Sequence, residues 1–334
     1  MATYKGIQGY RVESLASDPP TAIGQGQLWY NSASNVWKIG TVGAGAWSAG
    51  GNTNTGRNQA SGAGFGTQTA AILAGGNVPP ITLVTEQYNG VAWTELSSPS
   101  NLTYTAYTRM SGASGTTTAG VMFGGNPGVS PPWATADTEE WNGSIWTESG
   151  NMNTTKRLGV GAGSQTAALS SGGYDYDAST TAESEEYNGT GWTVIPAGDL
   201  NTAPWFNGGG TGTQTAAIMC GGEPGAKTET ETYDGATWST SPATLNNGRN
   251  NNAMFGSTTA AICIGGDPSP LRPAVESFNG TSWTTVASSP TQAYASGVAG
   301  TQSLGLKMAG GAPPFQSTEE WDNAPEAIQT VTTS

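Results

Sequence analysis

The chain has 334 residues, of which 50 are Gly and only 10% are charged, with a net charge of −13 and no His. The lack of His removes the commonest general base and the commonest metal ligand, and the acidic balance argues against a nucleic-acid partner. No run of about 18 apolar residues could cross a membrane, and the N-terminus lacks the apolar segment of a signal peptide, so the expectation is a chain made in a cytoplasm, without membrane insertion.

Residues 1–40 stand apart from the remainder of the chain. Leu28-Trp29-Tyr30-Asn31 and Asn35-Val36-Trp37-Lys38-Ile39 flank a polar corner. This is a hairpin pattern with aromatics on both arms, and Trp29, Tyr30 and Trp37 are the candidate contact residues of an N-terminal attachment arm.

Beyond it a unit repeats. Arg57 opens a run of small residues, Gly66-Thr67-Gln68-Thr69 turns the chain, and Ala70 to Ala74 ends at the doublet Gly75-Gly76. A longer loop leads to Val84-Thr85-Glu86-Gln87-Tyr88, then Asn89-Gly90, then Ala92-Trp93-Thr94. Asn-Gly between two β-rich runs predicts a tight hairpin of type I′, with positive φ at both residues. The doublet returns at Gly124-Gly125, Gly172-Gly173, Gly221-Gly222, Gly265-Gly266 and Gly310-Gly311, at intervals of 49, 48, 49, 44 and 45 residues. Four strand-like pieces per unit at this period predict an all-β fold, a six-bladed β-propeller. The Gly- and Ala-rich first two strands suit its crowded centre.

The sixth unit has three strands and no final Trp. Ala46-Trp47-Ser48 has the look of the missing fourth strand, so the last blade is expected to be closed from the N-terminal side. The predicted division is residues 1–40 as arm and 41–334 as propeller. The tail Ala327 to Ser334 is left open between an extra strand on the last blade and a docking arm.

The third strand carries Glu two residues before an aromatic in every unit: Glu86, Glu139, Glu185, Glu231, Glu276 and Glu319. Six equivalent carboxylates are not six active sites. They are expected to accept backbone N–H bonds or to pair with Arg57, Arg109, Arg157 and Arg249. Cys220 and Cys263 precede doublets and read as buried free thiols in neighbouring sheets. Gly62 to Gly66 and Gly159 to Gly163 imitate part of a dinucleotide fingerprint, but no helix follows. Asp175-Tyr176-Asp177, near Glu183, is read as a solvated loop, with Ca²⁺ binding by its carboxylates left open. No metal and no cofactor are expected. An enzyme of the hydrolase or lyase class would have to work with carboxylates such as Asp175 and Asp177, and the reading is not an enzyme.

Strands alternate in direction, so the short first–second and third–fourth turns share one face. The variable loops share the other, and function usually resides on such loops over a rigid scaffold. They hold the candidate binding residues Trp133, Tyr174, Asp175, Tyr176, Trp205, Phe206, Arg272 and Phe315. Exposed aromatics among few charges suit sugar rings or a protein neighbour.

The doublet, the aromatic and the Trp, six times over residues 46 to 321, resemble the kelch-repeat β-propellers, which are mostly binding scaffolds. The copper radical enzymes of that family need His ligands, which this chain lacks. Gly-Thr-Gln-Thr-Ala-Ala-Ile (212–218), Ser-Glu-Glu-Tyr-Asn-Gly-Thr-Gly-Trp (184–192) and Asp-Leu-Asn-Thr-Ala (199–203) are similar to strings in kelch-like virion proteins of marine tailed bacteriophages. Leu28 to Lys38 resembles a hairpin near the N-termini of phage tail and fibre proteins. The resemblance implies a virion structural protein on the tail or capsid. It would be held by other virion proteins through residues 1–40, would contact a host-surface glycan or protein, and leaves a homo-oligomer open. The alternative is a free carbohydrate-binding kelch-type lectin.

Overall fold

The structure, a computed structural model, describes residues 13–17, 28–41, 45–60, 62–77, 82–103, 108, 110–127, 133–175, 180–202, 207–268, 273–323 and 327–331. All regular structure among them is β. The chain forms two compact units, Met1–Ala46 with Asn323–Ser334, and Trp47–Asp322.

The first unit is one four-stranded sheet. It contains β1 (Glu13–Leu15), β2 (Leu28–Asn31) and β3 (Val36–Thr41), with the C-terminal strand β28 (Ala327–Thr330) as its last member. The hairpin expected from the aromatic arms is β2 and β3, antiparallel, with Tyr30 opposite Trp37. Strand β1 joins β2 in parallel and β28 joins β3 antiparallel. The tail therefore pairs with the N-terminal hairpin and not with a repeated sheet.

The second unit is a series of six four-stranded sheets. Strand β4 (Ala46–Ala49) precedes them. Sheet I is β5 (Gly64–Thr67), β6 (Ala70–Ala74), β7 (Thr85–Tyr88) and β8 (Trp93–Glu95). Sheet II is β9 (Gly112–Thr116), β10 (Ala119–Phe123), β11 (Thr138–Trp141) and β12 (Trp146–Glu148). Sheet III is β13 (Val160–Ser164), β14 (Ala167–Tyr174), β15 (Thr180–Tyr187) and β16 (Trp192–Val194). Sheet IV is β17 (Gly209–Thr213), β18 (Ala216–Cys220), β19 (Thr230–Tyr233) and β20 (Trp238–Thr240). Sheet V is β21 (Ala253–Ser257), β22 (Ala260–Ile264), β23 (Val275–Phe278) and β24 (Trp283–Val286). Sheet VI is β25 (Gly297–Gly300), β26 (Leu304–Met308) and β27 (Thr318–Asp322), with β4 as its fourth strand. That place is the one read from Trp47, whose ring sits 5.2 Å from Trp321. Each first strand packs beside the first strand of the next sheet, and β25 packs beside β5.

One local feature differs from expectation. In the third–fourth turns only Gly has positive φ, from 89° at Gly90 to 96° at Gly235. Gly90 takes the first central position, where a type II′ turn places its glycine, so the type I′ reading is corrected. Asn89 instead uses Oδ1 to accept the N–H groups of Val91 and Ala92 at 3.0 and 2.9 Å. Asp234 does the same with Ala236 and Thr237, and those amides hold its carboxyl below its ordinary value. A side-chain acceptor is what the station requires. In the doublets both glycines have positive φ in all six, for example 73° and 100° at Gly75 and Gly76.

The core lies between successive sheets. Each third-strand aromatic faces the fourth-strand Trp of its own sheet, as Tyr88 faces Trp93 with ring centres 5.0 Å apart. Burying each such side chain contributes about 1.5–3 kcal/mol.

Candidate functional site

Three kinds of hydrogen bond link one repeated sheet to the one before it. The residue preceding the repeated Glu is Thr or Ser in five sheets, and it accepts the indole N–H of the following sheet's Trp. Trp146 donates to Thr85 at 2.9 Å, Trp192 to Thr138 at 3.0 Å, Trp238 to Ser184 at 3.0 Å and Trp283 to Thr230 at 3.0 Å. Trp93 of sheet I donates to Thr318 of sheet VI at 2.8 Å. Sheet V has Val275 at this station, and Trp47 turns its N–H to the Ala287 carbonyl at 3.0 Å. A glutamine in the first–second turn donates to the preceding sheet's aromatic carbonyl, as Gln68 does to Trp321 (2.7 Å) and Gln165 to Trp141 (3.1 Å). Tyr88, Tyr187 and Tyr233 donate to Glu320, Glu140 and Glu186 of the preceding sheet at 2.6, 2.6 and 2.9 Å. Burial and these carboxylate bonds push the Tyr88 and Tyr187 phenols up from 10.0 to about 12.

The six repeated carboxylates are buried and occupied. Glu86 accepts the N–H groups of Asn54 and Thr55 at 2.7 and 3.1 Å and pairs with Arg57 at 2.5 Å. Glu276 accepts the Asn246 N–H at 2.8 Å and pairs with Arg249. Glu185 takes Asn153 and Thr154 N–H at 2.7 and 3.1 Å, but its cation is Lys156 at 3.2 Å and not Arg157. Glu319 is met by Lys307 at 3.7 Å, from the facing position of the adjacent strand. Glu139 and Glu231 accept the backbone N–H groups of Thr103 (3.0 Å) and Thr202 (2.8 Å). Arg109 lies outside the described residues. The expected pairing thus holds at Arg57 and Arg249 and is corrected at Arg157. Lys156 matches Arg57 by its contacts: it donates to the Glu183 carbonyl at 3.2 Å as Arg57 does to the Val84 carbonyl at 2.9 Å.

Released from that role, Arg157 belongs to the variable-loop side of sheet III. It exchanges backbone hydrogen bonds with Tyr174 at 2.9 Å each way, and its guanidinium lies 5.3 Å from the Tyr174 ring centre. Burial raises the Tyr174 phenol, with the nearby Glu223 charge adding to it. Glu223 accepts from Asn207 Nδ2 at 3.2 Å. Trp133, 43% exposed, leads into Thr135, which bridges to Lys156 beside Arg157. Trp133 thus lies two residues before the Thr135–Lys156 bridge, and Tyr174 ends β14, with Asp175 next in the chain. Around Tyr174 the structure places Arg157 and Glu223, and beside Glu223 it places Asn207, three residues the sequence reading did not single out for this place. Asn207 carried a usable signal, a residue suited to positive φ (64°) just ahead of a first strand. Phe315, half-buried, is placed elsewhere: its carbonyl accepts from Arg57 at 3.0 Å, at sheets VI and I. Tyr176, Trp205, Phe206 and Arg272 lie outside the described residues. In the N-terminal sheet Trp29 is buried, while Trp37 is 42% exposed, edge-on to Tyr30 at 5.5 Å.

The six first strands line a cavity of about 230 Å³ whose wall is mainly Gly, Ala and Ser. At its rim a backbone chain runs from sheet to sheet: Asn207 N–H to Leu158, Asn251 N–H to Asn207 and Ala295 N–H to Asn251, at 2.7, 2.7 and 3.1 Å. Cys220 and Cys263 are free and fully buried, in neighbouring sheets as expected. Among the described residues no three His, Cys, Asp or Glu side chains cluster to hold a metal ion. Comparison with protein-family models and with curated proteins gives no match.

Proposed function

We propose that Trp47–Asp322 is a closed six-bladed β-propeller of kelch type, and that the chain is a non-enzymatic structural protein of a tailed-bacteriophage particle. Closure is supported by the Trp93–Thr318 hydrogen bond and by the packing of β25 beside β5. The observation that carries the display reading is the fate of the repeated carboxylates. All six are buried and committed to backbone amides or fixed cations, which are scaffold roles. What remains for contact is the variable-loop side, where Trp133 and the Arg157–Tyr174 pair offer aromatic and polar surface to a host glycan or protein. The phage attribution rests on the resemblance of residues 28–38 and the repeat strings to virion proteins. Attachment is assigned to residues 1–40, where Trp37 is exposed beside Tyr30.

The test is to propagate particles encoding the chain without residues 1–40 and 323–334, the two segments that share the N-terminal sheet. A soluble product missing from purified particles supports attachment through this sheet. Normal incorporation refutes it. The exposure of Trp133 favours a second reading, a free carbohydrate-binding lectin. Binding of the isolated chain to a glycan array, lost in Trp133→Ala, together with its absence from particles, would select that reading.

A further inference from the structure

Three sulfur atoms of the repeated sheets share one place. Cys220 ends β18, Cys263 lies in β22 and Met254 lies in β21, all within one core cluster between sheets IV and V. Cys220 Sγ is 3.2 Å from Met254 Sδ. Asn252 Nδ2 lies 3.2 Å from Cys263 Sγ and 3.8 Å from Cys220 Sγ, so a single amide spans both thiols. The other atom of that amide, Asn252 Oδ1, is buried without a hydrogen-bond partner, and Asn252 is only 3% exposed. Asn252 and Met254 also line the cavity formed by the first strands, whereas the two cysteines do not, so the thiols lie behind its wall.

We propose that Cys220, Cys263 and Met254 form a binding site for a soft monovalent cation of the Cu(I) or Ag(I) type, reached from the central cavity. Thiolate and thioether sulfur select such ions, whereas hard divalent cations require oxygen ligands. On binding, one thiol gives up its proton to solvent and forms a sulfur–metal bond. Met254 adds a neutral donor, and no oxidation state changes. The proton lost balances the charge gained, so the site carries no new net charge into the core. Cys220 Sγ and Met254 Sδ, now in contact, must separate to admit an ion. Met254, buried at 3% exposure, supplies that movement, being unbranched and adaptable. Asn252, touching both thiols, is a positioning residue.

The experiment adds one equivalent of Ag(I) to the full-length chain in chloride-free buffer and follows it by native mass spectrometry and urea unfolding. The expected result is one retained ion per chain with loss of one proton, and a higher urea midpoint. The Cys220→Ser/Cys263→Ser variant should retain none, and Asn252→Ala should bind about 10- to 100-fold more weakly. Should the double variant fail to fold, Met254→Leu decides the question. It conserves core volume, and it should fold like the wild type yet hold silver about tenfold or more less tightly. Wild-type chain that retains no silver, a folded double variant that retains it, or Met254→Leu with unchanged affinity would each overturn the proposal.

Discussion

Thr318→Val removes one hydroxyl and keeps the volume of the side chain. That hydroxyl is the acceptor for Trp93 Nε1, a buried bond of 2.8 Å between sheets VI and I. Stranding the indole N–H without an acceptor costs about 1–3 kcal/mol. Thr85→Val makes the same change between sheets I and II, where Trp146 donates at 2.9 Å. If sheets VI and I are neighbours in the same sense as sheets I and II, the two costs should agree within about 0.5 kcal/mol. The molecule already holds a valine at this station, Val275, and there Trp47 finds a carbonyl instead. A mild Thr318→Val result would therefore require Trp93 to find a comparable acceptor. The assay is urea unfolding followed by tryptophan fluorescence, read as a midpoint shift at constant slope. A cycle with Trp93→Phe isolates the bond, because Phe has no N–H to strand. In that background Thr318→Val should cost less than about 0.5 kcal/mol. A Thr318→Val variant indistinguishable from wild type, beside a Thr85→Val variant losing more than about 1 kcal/mol, would refute the equivalence of the first-to-last junction.

Two further outcomes come from the packing and the charges. A Cβ at Gly120 would stand 2.4 Å from the Phe65 ring of the preceding sheet, so Gly120→Ala should lose about 1–3 kcal/mol. Phe65→Leu should recover part of that loss in the double variant, and additivity of the two losses in urea unfolding would contradict the clash. The Tyr88 and Tyr187 phenols sit at about 12 in the folded chain against 10.0 when free. A group held protonated by the fold stabilises it fully below its free value, and the contribution is lost as pH rises through the folded value. Stability should fall between about pH 10 and pH 12. Ultraviolet titration of the native chain should show these tyrosines ionising late, and Tyr187→Phe should remove one late step; ionisation of every tyrosine near 10 would contradict the buried carboxylate bonds.

The parts legible in the sequence are those fixed by backbone chemistry at regular intervals. The glycine doublets mark paired positive-φ positions, and the Trp after each turn marks a fourth strand, so even the displaced Ala46–Ala49 could be assigned to the last sheet. The partner of Glu185 was missed because Lys156 and Arg157 are adjacent, and residue type alone favours the arginine. Successive residues of an extended segment point to opposite sides, so one step in register sends Lys156 to the carboxylate and Arg157 to Tyr174. The turn type was missed because Asn serves equally as a residue tolerant of positive φ and as a side-chain acceptor, and only the backbone separates the two uses. The belts between sheets had a signal that went unread, a hydroxyl residue before the repeated Glu in five units of six. The pairing of β28 with β3 had none, since two short strands so far apart in the chain carry no common mark.

The fourth strand of sheet VI has a consequence for synthesis. Ala46–Ala49 leaves the ribosome before any repeated sheet, yet its partner β27 begins at Thr318. At about 5–20 residues per second, the wait is on the order of tens of seconds. Through that interval a nascent chain carries a short strand with a bare edge and an aromatic side chain, able to pair with a second nascent copy as readily as with its own distant end. Such an exchange would link two polypeptides while keeping the β4–β27 pairing and changing only the segment that joins β4 to sheet I. Crowding of translating ribosomes on one message, and not folded stability, would then set how often the product emerges as an interlocked pair.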